Sequence, residues 1–323
     1  MKLVVIIPAY NEEDSIENVI QDIKKTSNNL LKKDFDDIKI LVVDDGSTDK
    51  TVQIAKKAKA DKIISHKKNE GLGITFKTGI ENALSMKADI IVNIDADGQF
   101  NTDDIPKLVE PIIENKADMV TCTRFANKPP KMPWMKKFGN KRFTKIVNRI
   151  TNKNFTDTQC GFRAYSREAA MRLTLFGRYT YTQEVFLDLA FKGMKIEEIP
   201  CKVKGERKGK SRLVKSIPNY SYNSLMIILR AYRDTQPLRF FGGIGISLLL
   251  PGSIIAILLA IRLVLYHIIT PFMSLVWVSL ALIIVGALLV VLALVADMYV
   301  RQRRLQEEIL YKLKSMEYNE ENI

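Results

Sequence analysis

Two carboxylates one residue apart, Asp95 and Asp97, follow directly on the apolar run Ile90-Ile91-Val92-Asn93-Ile94, within the segment Asp95-Ala96-Asp97-Gly98-Gln99. A short β-branched run of this kind reads as a buried strand. Both acids then stand at its C-terminal end, where open α/β sheets bind their ligands. Hard oxygen donors at i and i+2 suit Mg²⁺ or Mn²⁺ carrying phosphates, because such an ion usually takes one or two protein carboxylates and fills its other positions with water and phosphate oxygens. Alone, the pair fits a polar loop after a strand equally well. Three further segments decide between the readings.

The first is Pro8-Ala9-Tyr10-Asn11-Glu12-Glu13, which follows the run Leu3-Val4-Val5-Ile6-Ile7 and precedes a helical stretch. The second is Val43-Asp44-Asp45-Gly46-Ser47-Thr48-Asp49, again a strand running into acids and a turn, with Ser47 or Thr48 placed to cap the next helix. The third is Asp157-Thr158-Gln159-Cys160-Gly161-Phe162-Arg163. In this order P-A-Y-N-E, V-D-D-G-S, D-A-D-G-Q and D-T-Q-C-G-F-R resemble a family 2 glycosyltransferase of the dolichyl-phosphate mannose/glucose synthase type, over about residues 1–212.

That resemblance implies a GT-A catalytic domain, a Rossmann-like α/β fold with a mostly parallel sheet. It implies a nucleotide-sugar site in which Pro8, Tyr10 and Glu12 contact the base and ribose and Val43 and Asp45 complete the pocket. Asp95 and Ala96 would also contact the nucleotide sugar, and Asp95, Asp97 and Gln99 would set the metal on the diphosphate, with Asp97 and Gln99 as direct ligands and Asp95 bonding ribose or metal. Arg124 and Arg163 are the candidates for holding an acceptor phosphate. Arg207 and Arg212, in the basic loop Glu206–Arg212, would hold donor phosphates or close the loop. That loop is one residue shorter than the related R-x-x-G-x-S-K pattern and ends in Arg. Glu184 would orient a sugar hydroxyl or a cation, or be an ordinary helix-surface acid.

The implied acceptor is a polyprenyl or dolichyl monophosphate, and its chemistry agrees with the residues. A phosphate monoester has its second pKa at about 6, so its oxygen is already ionised at neutral pH and needs no general base. Direct displacement would invert the anomeric centre. A UDP-sugar is the favoured donor, with GDP-mannose as the alternative.

The elements that must carry these residues alternate. Strands are predicted at 2–8, 38–44, 61–65, 89–95, 117–123 and 195–203. Helices are predicted at 14–27, 49–59, 74–86, 103–115, 139–150, 167–175 and 182–193. A βαβ rhythm of this kind specifies a doubly wound sheet. Residues 126–155, with Pro129, Pro130 and Pro133 among many Lys and Arg, break the rhythm as a basic loop and helix.

From Gly242 to Ile261 and from Pro271 to Ala296 no charged residue occurs, and each run is long enough to cross a bilayer. The chain therefore divides into a catalytic domain at 1–212, an interfacial amphipathic segment at 213–239, two transmembrane helices within 240–297 and a helical tail at 298–323. Arg262 stands near the far end of the first span, where it can snorkel. Arg230, Arg233 and Arg239 precede the first span and Arg301, Arg303 and Arg304 follow the second, whereas the turn between them has no Lys or Arg. The positive-inside rule then puts the catalytic domain and the tail in the cytoplasm. Leu305, Ile309, Leu313 and Met316 make one stripe on the tail, suited either to a homo-oligomer or to packing on the catalytic domain.

The 323-residue chain carries 49 Lys and Arg against 36 Asp and Glu, a formal charge of +13. Such a balance calls for an anionic partner: a membrane surface, phosphorylated substrates or nucleic acid. No nucleic-acid motif is present, so no nucleic acid is expected. Cys122, Cys160 and Cys201 are odd in number and widely spaced, which argues against a disulfide framework and for a reducing compartment. Met1-Lys2 and a run of about six apolar residues before Pro8 fall short of a secretory signal. Two other functions fit parts of the pattern. Gln236-Pro237-Leu238-Arg239-Phe240 resembles the Q-x-x-R-W motif of processive polysaccharide synthases, although two spans are few for a polymer channel. A non-catalytic nucleotide-sugar-binding scaffold would also need the pocket, but not the intact Asp95, Asp97 and Gln99 set.

Overall fold

Seven strands form one sheet because their side chains leave water on both faces. In the computed structural model, which describes residues 1–30, 34–125, 134–175, 181–203, 226, 229–230, 232–234, 236–268 and 270–319, β1 (Lys2–Ala9) is buried from Leu3 onward. β2 (Asp37–Asp44) is buried over its last five residues and β4 (Ile90–Asn93) throughout. Runs apolar on consecutive residues, rather than on alternate ones, are what a sheet covered on both faces requires. β3 (Lys62–Ser65), β5 (Met119–Thr123), β6 (Arg163–Ser166) and β7 (Ile196–Pro200) complete it, in the order β3-β2-β1-β4-β6-β5-β7.

The helices follow the expected alternation: α1 (Ile16–Leu30), α2 (Thr51–Lys57), α3 (Leu72–Ser85), α4 (Ile105–Ile113), α5 (Trp134–Thr151), α6 (Arg167–Arg172) and α7 (Thr182–Phe191). Helix α1 shows why. Ile16, Val19, Ile20 and Ile23, at helical spacing, are all buried in the core under β1, β2 and β4. The cap on α2 differs from expectation. Ser47 Oγ accepts from Asn11 N at 2.8 Å and Thr48 N donates to Asn11 Oδ1 at 2.7 Å, so both residues clamp the loop after β1. Asp49 Oδ1 instead accepts from Thr51 N at 2.9 Å.

Strand β6 was not anticipated, and it matters most for the site. It pairs antiparallel with both β4 and β5, whereas β1, β2, β3 and β4 pair in parallel, as do β5 and β7. An antiparallel strand starts where its parallel neighbours end. Residues 157–162 therefore reach the same edge of the sheet as the loop after β4. The strand order also reverses at β1, which has β2 on one side and β4 on the other. The crevice at such a switch point is where doubly wound sheets bind ligands.

The cysteines correct the sequence reading. Cys122 and Cys201 are joined as a disulfide 79 residues apart in sequence, while Cys160 is free and buried. The cause is register. Cys122 pairs with Ile199 across β5 and β7, which brings Cys201 alongside with a Cα–Cα distance of 5.5 Å, and linear spacing carries no sign of that neighbourhood.

The chain divides into two compact units, 1–228 with 310–323, and 229–309. Two helices, α8 (Pro237–Tyr266) and α9 (Met273–Asn319), are long and apolar enough to span a membrane, with mean hydropathies of 2.5 and 3.2 over their most apolar windows. Within the second unit they touch backbone to backbone. A Cβ on Gly245 would stand 2.9 Å from Gly286 O, and one on Gly286 the same distance from Gly245 O. Small residues at a crossing of this kind are how helices associate without a hydrophobic driving force. Arg262 lies over the rings of Phe272, at 4.8 Å, and Tyr266, at 5.6 Å.

Residues 310–319 belong to the first unit, where they pack on α6. Arg172 lies 4.1 Å above the Tyr311 ring. Lys314 Nζ donates to Met171 O at 3.3 Å and Leu173 O at 3.1 Å, covering carbonyls at the C-terminus of α6. Arg167 donates to Tyr318 O at 2.8 Å. These contacts come from Tyr311, Lys314 and Tyr318; the stripe of Leu305, Ile309, Leu313 and Met316 is itself exposed.

Candidate active site

The loops after β1, β2 and β4 and the segment before β6 meet at one edge of the sheet. Pro8 and Val43 are register partners on β1 and β2, both buried, so the two residues expected to line one pocket do stand side by side. Beyond them Tyr10 and Glu12 are half-buried. The loop that carries them is fixed by its bonds to Ser47 and Thr48 and by Glu12 N donating to Thr51 Oγ1 at 2.8 Å.

Asp45 is 5% exposed and its carboxylate is already engaged. It accepts from Glu70 N, Gly71 N and His66 Nδ1, each at 2.9 Å. His66 Nε2 lies 3.1 Å from Thr78 Oγ1. The carboxylate thus holds the 66–71 loop against the end of β2, a role the sequence did not suggest. Gly46 completes this junction. Its φ is +73°, and a Cβ there would stand 2.5 Å from the Lys68 carbonyl carbon, so glycine is required.

Asp95, Asp97 and Gln99 lie half-buried just beyond β4. Asp97 Oδ1 accepts from Gln99 N at 3.1 Å, which curls the loop and brings the expected ligands close. Gly161 approaches from the other strand: a Cβ on it would stand 3.1 Å from both Asp95 oxygens and from the Tyr181 hydroxyl. Asn93 Nδ2 donates to Gly161 O at 2.9 Å and to Tyr181 Oη at 2.8 Å. Tyr181 stacks on Phe76 with centroids 3.9 Å apart, and burial holds its phenol well above its ordinary pKa, so it stays neutral. A Gly161→Ala enzyme is therefore expected to fold normally, yet to lose about 10- to 100-fold in kcat because the added methyl displaces Asp95 by a few tenths of an ångström. Steady-state rates beside a circular dichroism melt check this, and an unchanged kcat would mean that Asp95 tolerates displacement.

Two half-buried carboxylates one residue apart, Asp95 beside Gly161 and Asp97 in the same loop, fit a hard divalent cation. Among the described residues no group of three or more His, Cys, Asp or Glu could hold a metal. The donor set therefore suits an ion that keeps oxygen positions for water and diphosphate.

Arg124 follows β5 and forms a two-point pair with Asp157: Nε to Oδ2 at 2.6 Å and Nη2 to Oδ1 at 3.0 Å. The Arg124 side chain is 16% exposed and that of Asp157 is fully enclosed. Burial opposes both charges, but the paired charge and its hydrogen bonds outweigh it. The guanidinium pKa is raised and the carboxyl is held below the usual Asp value. Asn140 on α5 adds a bond to Asp157 Oδ1 at 3.1 Å. Glu198 on β7 accepts from Thr156 N at 2.6 Å and Asp157 N at 2.9 Å; burial pushes its carboxyl pKa upward despite these bonds.

Arg163 occupies a different place from the one expected of an acceptor-gripping cation. It is fully buried, its Nη2 donates to Thr158 O at 3.1 Å, and its guanidinium carbon lies 4.5 Å from the Phe186 ring centre. Enclosed on all sides, it bonds the 157–162 segment from beneath. Its register partners explain this: Asn93 on one side and Thr121 on the other are central, buried positions. Cys160, whose thiol burial pushes up to about 12, is inert beside it. Glu184, in the first turn of α7, is half-buried. Arg207 and Arg212 lie outside the described residues, as do Pro129, Pro130 and Pro133. Asn93, Tyr181, Glu198 and His66 were missed, because each acts through a partner far away in sequence.

Comparison with known proteins agrees with this fold. The model of glycosyl transferase family 2 matches residues 4–174. A UDP-N-acetylglucosamine--dolichyl-phosphate N-acetylglucosaminyltransferase of Methanococcus voltae is 36% identical over 220 residues, 61% of this chain and 83% of that protein. Glycosyltransferase AglJ of Haloferax volcanii is 26% identical over 96% of this chain and 97% of its own length. Among solved structures, glucosyl-3-phosphoglycerate synthase of Mycobacterium tuberculosis in complex with Mn²⁺, UDP and phosphoglyceric acid superposes with a TM-score of 0.56. That match has 20% identity and covers 72% of this chain and 78% of that one. The same enzyme with Mg²⁺ and UDP gives 0.55, at 20% identity over 71% and 79% of the two chains. These structures share the fold.

Proposed function

The chain belongs to glycosyl transferase family 2, and from that premise we propose that it moves a sugar from a nucleotide sugar, UDP-linked, to a polyprenyl monophosphate. The observation that carries the reading is the meeting of Asp95, in the loop after β4 that also carries Asp97, with Gly161 before β6, at the edge of the sheet beside the switch between β1 and β4. Relatives named for dolichyl-phosphate transfer support the acceptor, and the two long apolar helices fit a lipid substrate.

In this reading Tyr10 offers a face to the base and Glu12 an acceptor to the ribose, in a pocket walled by Pro8 and Val43. Asp45 shapes the pocket through the 66–71 loop. Asp97 and Gln99, with Asp95 beside them, would hold Mg²⁺ or Mn²⁺. When bound, the ion offsets the charge that builds on the departing diphosphate. Arg124 keeps its positive charge at every working pH and, pinned by Asp157, presents it near the reacting centre for the acceptor phosphate. Arg163 is a positioning residue beneath this segment. Glu184 orients a sugar hydroxyl. The acceptor oxygen arrives ionised, attacks the anomeric carbon, and the carbon–oxygen bond to the diphosphate breaks with inversion. The flanking arginines support a reaction on the cytoplasmic face; the disulfide removes the support that free cysteines would have lent.

The test is transfer from labelled UDP-N-acetylglucosamine, UDP-glucose and GDP-mannose to a polyprenyl phosphate, with Mg²⁺, Mn²⁺ or EDTA. A single-sugar, organic-extractable product abolished by EDTA and β-linked by NMR is expected. A polymer, or no lipid product from any donor, would overturn the assignment.

A further inference from the structure

Ten of the 49 Lys and Arg, and none of the 36 Asp and Glu, lie between Met119 and Thr156. This one segment therefore supplies ten of the thirteen net positive charges. Its longest described element is α5, and the helix is two-sided. Asn140, Thr144 and Val147 are buried, Asn140 on Asp157 and Thr144 on Thr158, with hydroxyl oxygens 3.2 Å apart. Lys141, Arg142, Lys145 and Arg149 are exposed, as is Lys153 just beyond. Among the described residues no carboxylate pairs with Lys141, Lys145 or Arg149. A salt-bridged surface helix would alternate signs; this one does not.

We infer that the exposed face of α5 is a docking surface for the anionic headgroups of the bilayer. The charge is of one sign, dense, and carried on a rigid element. Two helices elsewhere in the chain are long and apolar enough to cross a membrane. Each basic residue near an anionic surface strengthens attachment by about 1 kcal/mol, roughly fivefold in partitioning. The same helix holds, on its inner face, the Asp157 that pins Arg124. Seating α5 on the headgroups thus brings the proposed acceptor-phosphate site to the surface from which a lipid phosphate protrudes. This orienting role rests on the polyprenyl-phosphate reading; the contact itself does not.

The experiment uses the full chain in nanodiscs of zwitterionic lipid or of the same lipid with about 30% anionic phospholipid. A water-soluble lysine acylating reagent is read by mass spectrometry. Labelling of Lys141, Lys145 and Lys153 is expected to fall at least threefold in anionic discs, while exposed Lys56 and Lys57 on α2 stay unchanged as internal controls. Half-molar salt, which shortens the screening length to a few ångströms, should restore it. Transfer to disc-borne polyprenyl phosphate should rise several-fold with anionic lipid in wild type. It should lose that response in the Lys141→Glu, Lys145→Glu, Arg149→Glu triple variant, which should still use a short-chain soluble acceptor at the wild-type rate. Equal labelling in both discs would overturn the contact. So would protection that tracks the mole fraction of polyprenyl phosphate in neutral discs, which would make the face an acceptor grip. If labelling shifts as expected while neither form transfers sugar, the contact stands and the proposed reaction falls.

Discussion

Replacing Asp97 with Ala is expected to slow transfer by roughly 10³-fold while leaving the melting midpoint within about 3 °C of wild type. The two halves have separate causes. Asp97 is half-exposed and accepts a hydrogen bond from Gln99 N within its own loop. Losing such a bond costs about 1 kcal/mol, which moves the midpoint of a domain this size by only a few degrees. As the proposed ligand to a cation on the departing diphosphate, however, the carboxylate would serve the transition state most, where leaving-group charge is greatest. A loss of about 4 kcal/mol there is a factor of about 10³. Asp97→Asn separates charge from shape, since the amide fills the same space without neutralising a cation, and it should be nearly as slow. Initial rates against Mg²⁺ and Mn²⁺ concentration make the measurement. Turnover near wild type in both variants would remove Asp97 from the reaction and favour a nucleotide-sugar-binding scaffold.

How far the sequence carried can be argued from Asp95 and Arg163. Asp95 was legible because everything that places it is local: a β-branched run, then acids, at the end of a strand that must be buried. The same holds for Pro8 and Val43, each at the end of such a run, and for the two long apolar helices, whose signal is unbroken apolar length. Arg163 was legible as a motif residue but not as a buried one. Only the antiparallel insertion of β6 between β4 and β5 puts it between Asn93 and Thr121, and a strand of four residues carries too little pattern to be read. The Cys122–Cys201 bond failed for a related reason, since it depends on β5 and β7 being neighbours. Local chemistry was readable, whereas contacts set by strand order were not. The supporting layer of this site is made of such contacts: Asn93 to Tyr181, Glu198 to the 156–157 backbone, His66 to Asp45.

The Arg124–Asp157 pair belongs to that supporting layer, and its loss should be the largest stability effect in the domain. Asp157→Ala leaves a guanidinium nearly enclosed without its partner and strips Asn140 and Gln159 N of their acceptor. Breaking a buried pair from one side costs about 3–5 kcal/mol. The pH dependence has a definite sign. Burial alone would raise the Asp157 pKa, but Arg124 and the hydrogen bonds outweigh it, so the folded value lies below the unfolded one. Its contribution is therefore complete above the unfolded carboxylate pKa of about 3.9 and is lost as pH falls through the folded value. Chemical denaturation should show a constant gap between wild type and Asp157→Ala from pH 7 to about pH 5, closing as the medium becomes more acid. A gap that widened with acid would contradict the assignment. Replacing both partners with apolar groups, Arg124→Met with Asp157→Leu, should restore more than half of the lost stability, since a well-packed apolar pair often equals a buried ion pair. It should not restore transfer, because the positive charge proposed for the acceptor phosphate is gone. Recovery of stability without activity would separate the structural work of the pair from its catalytic work, and recovery of both would show that Arg124 never touches the acceptor.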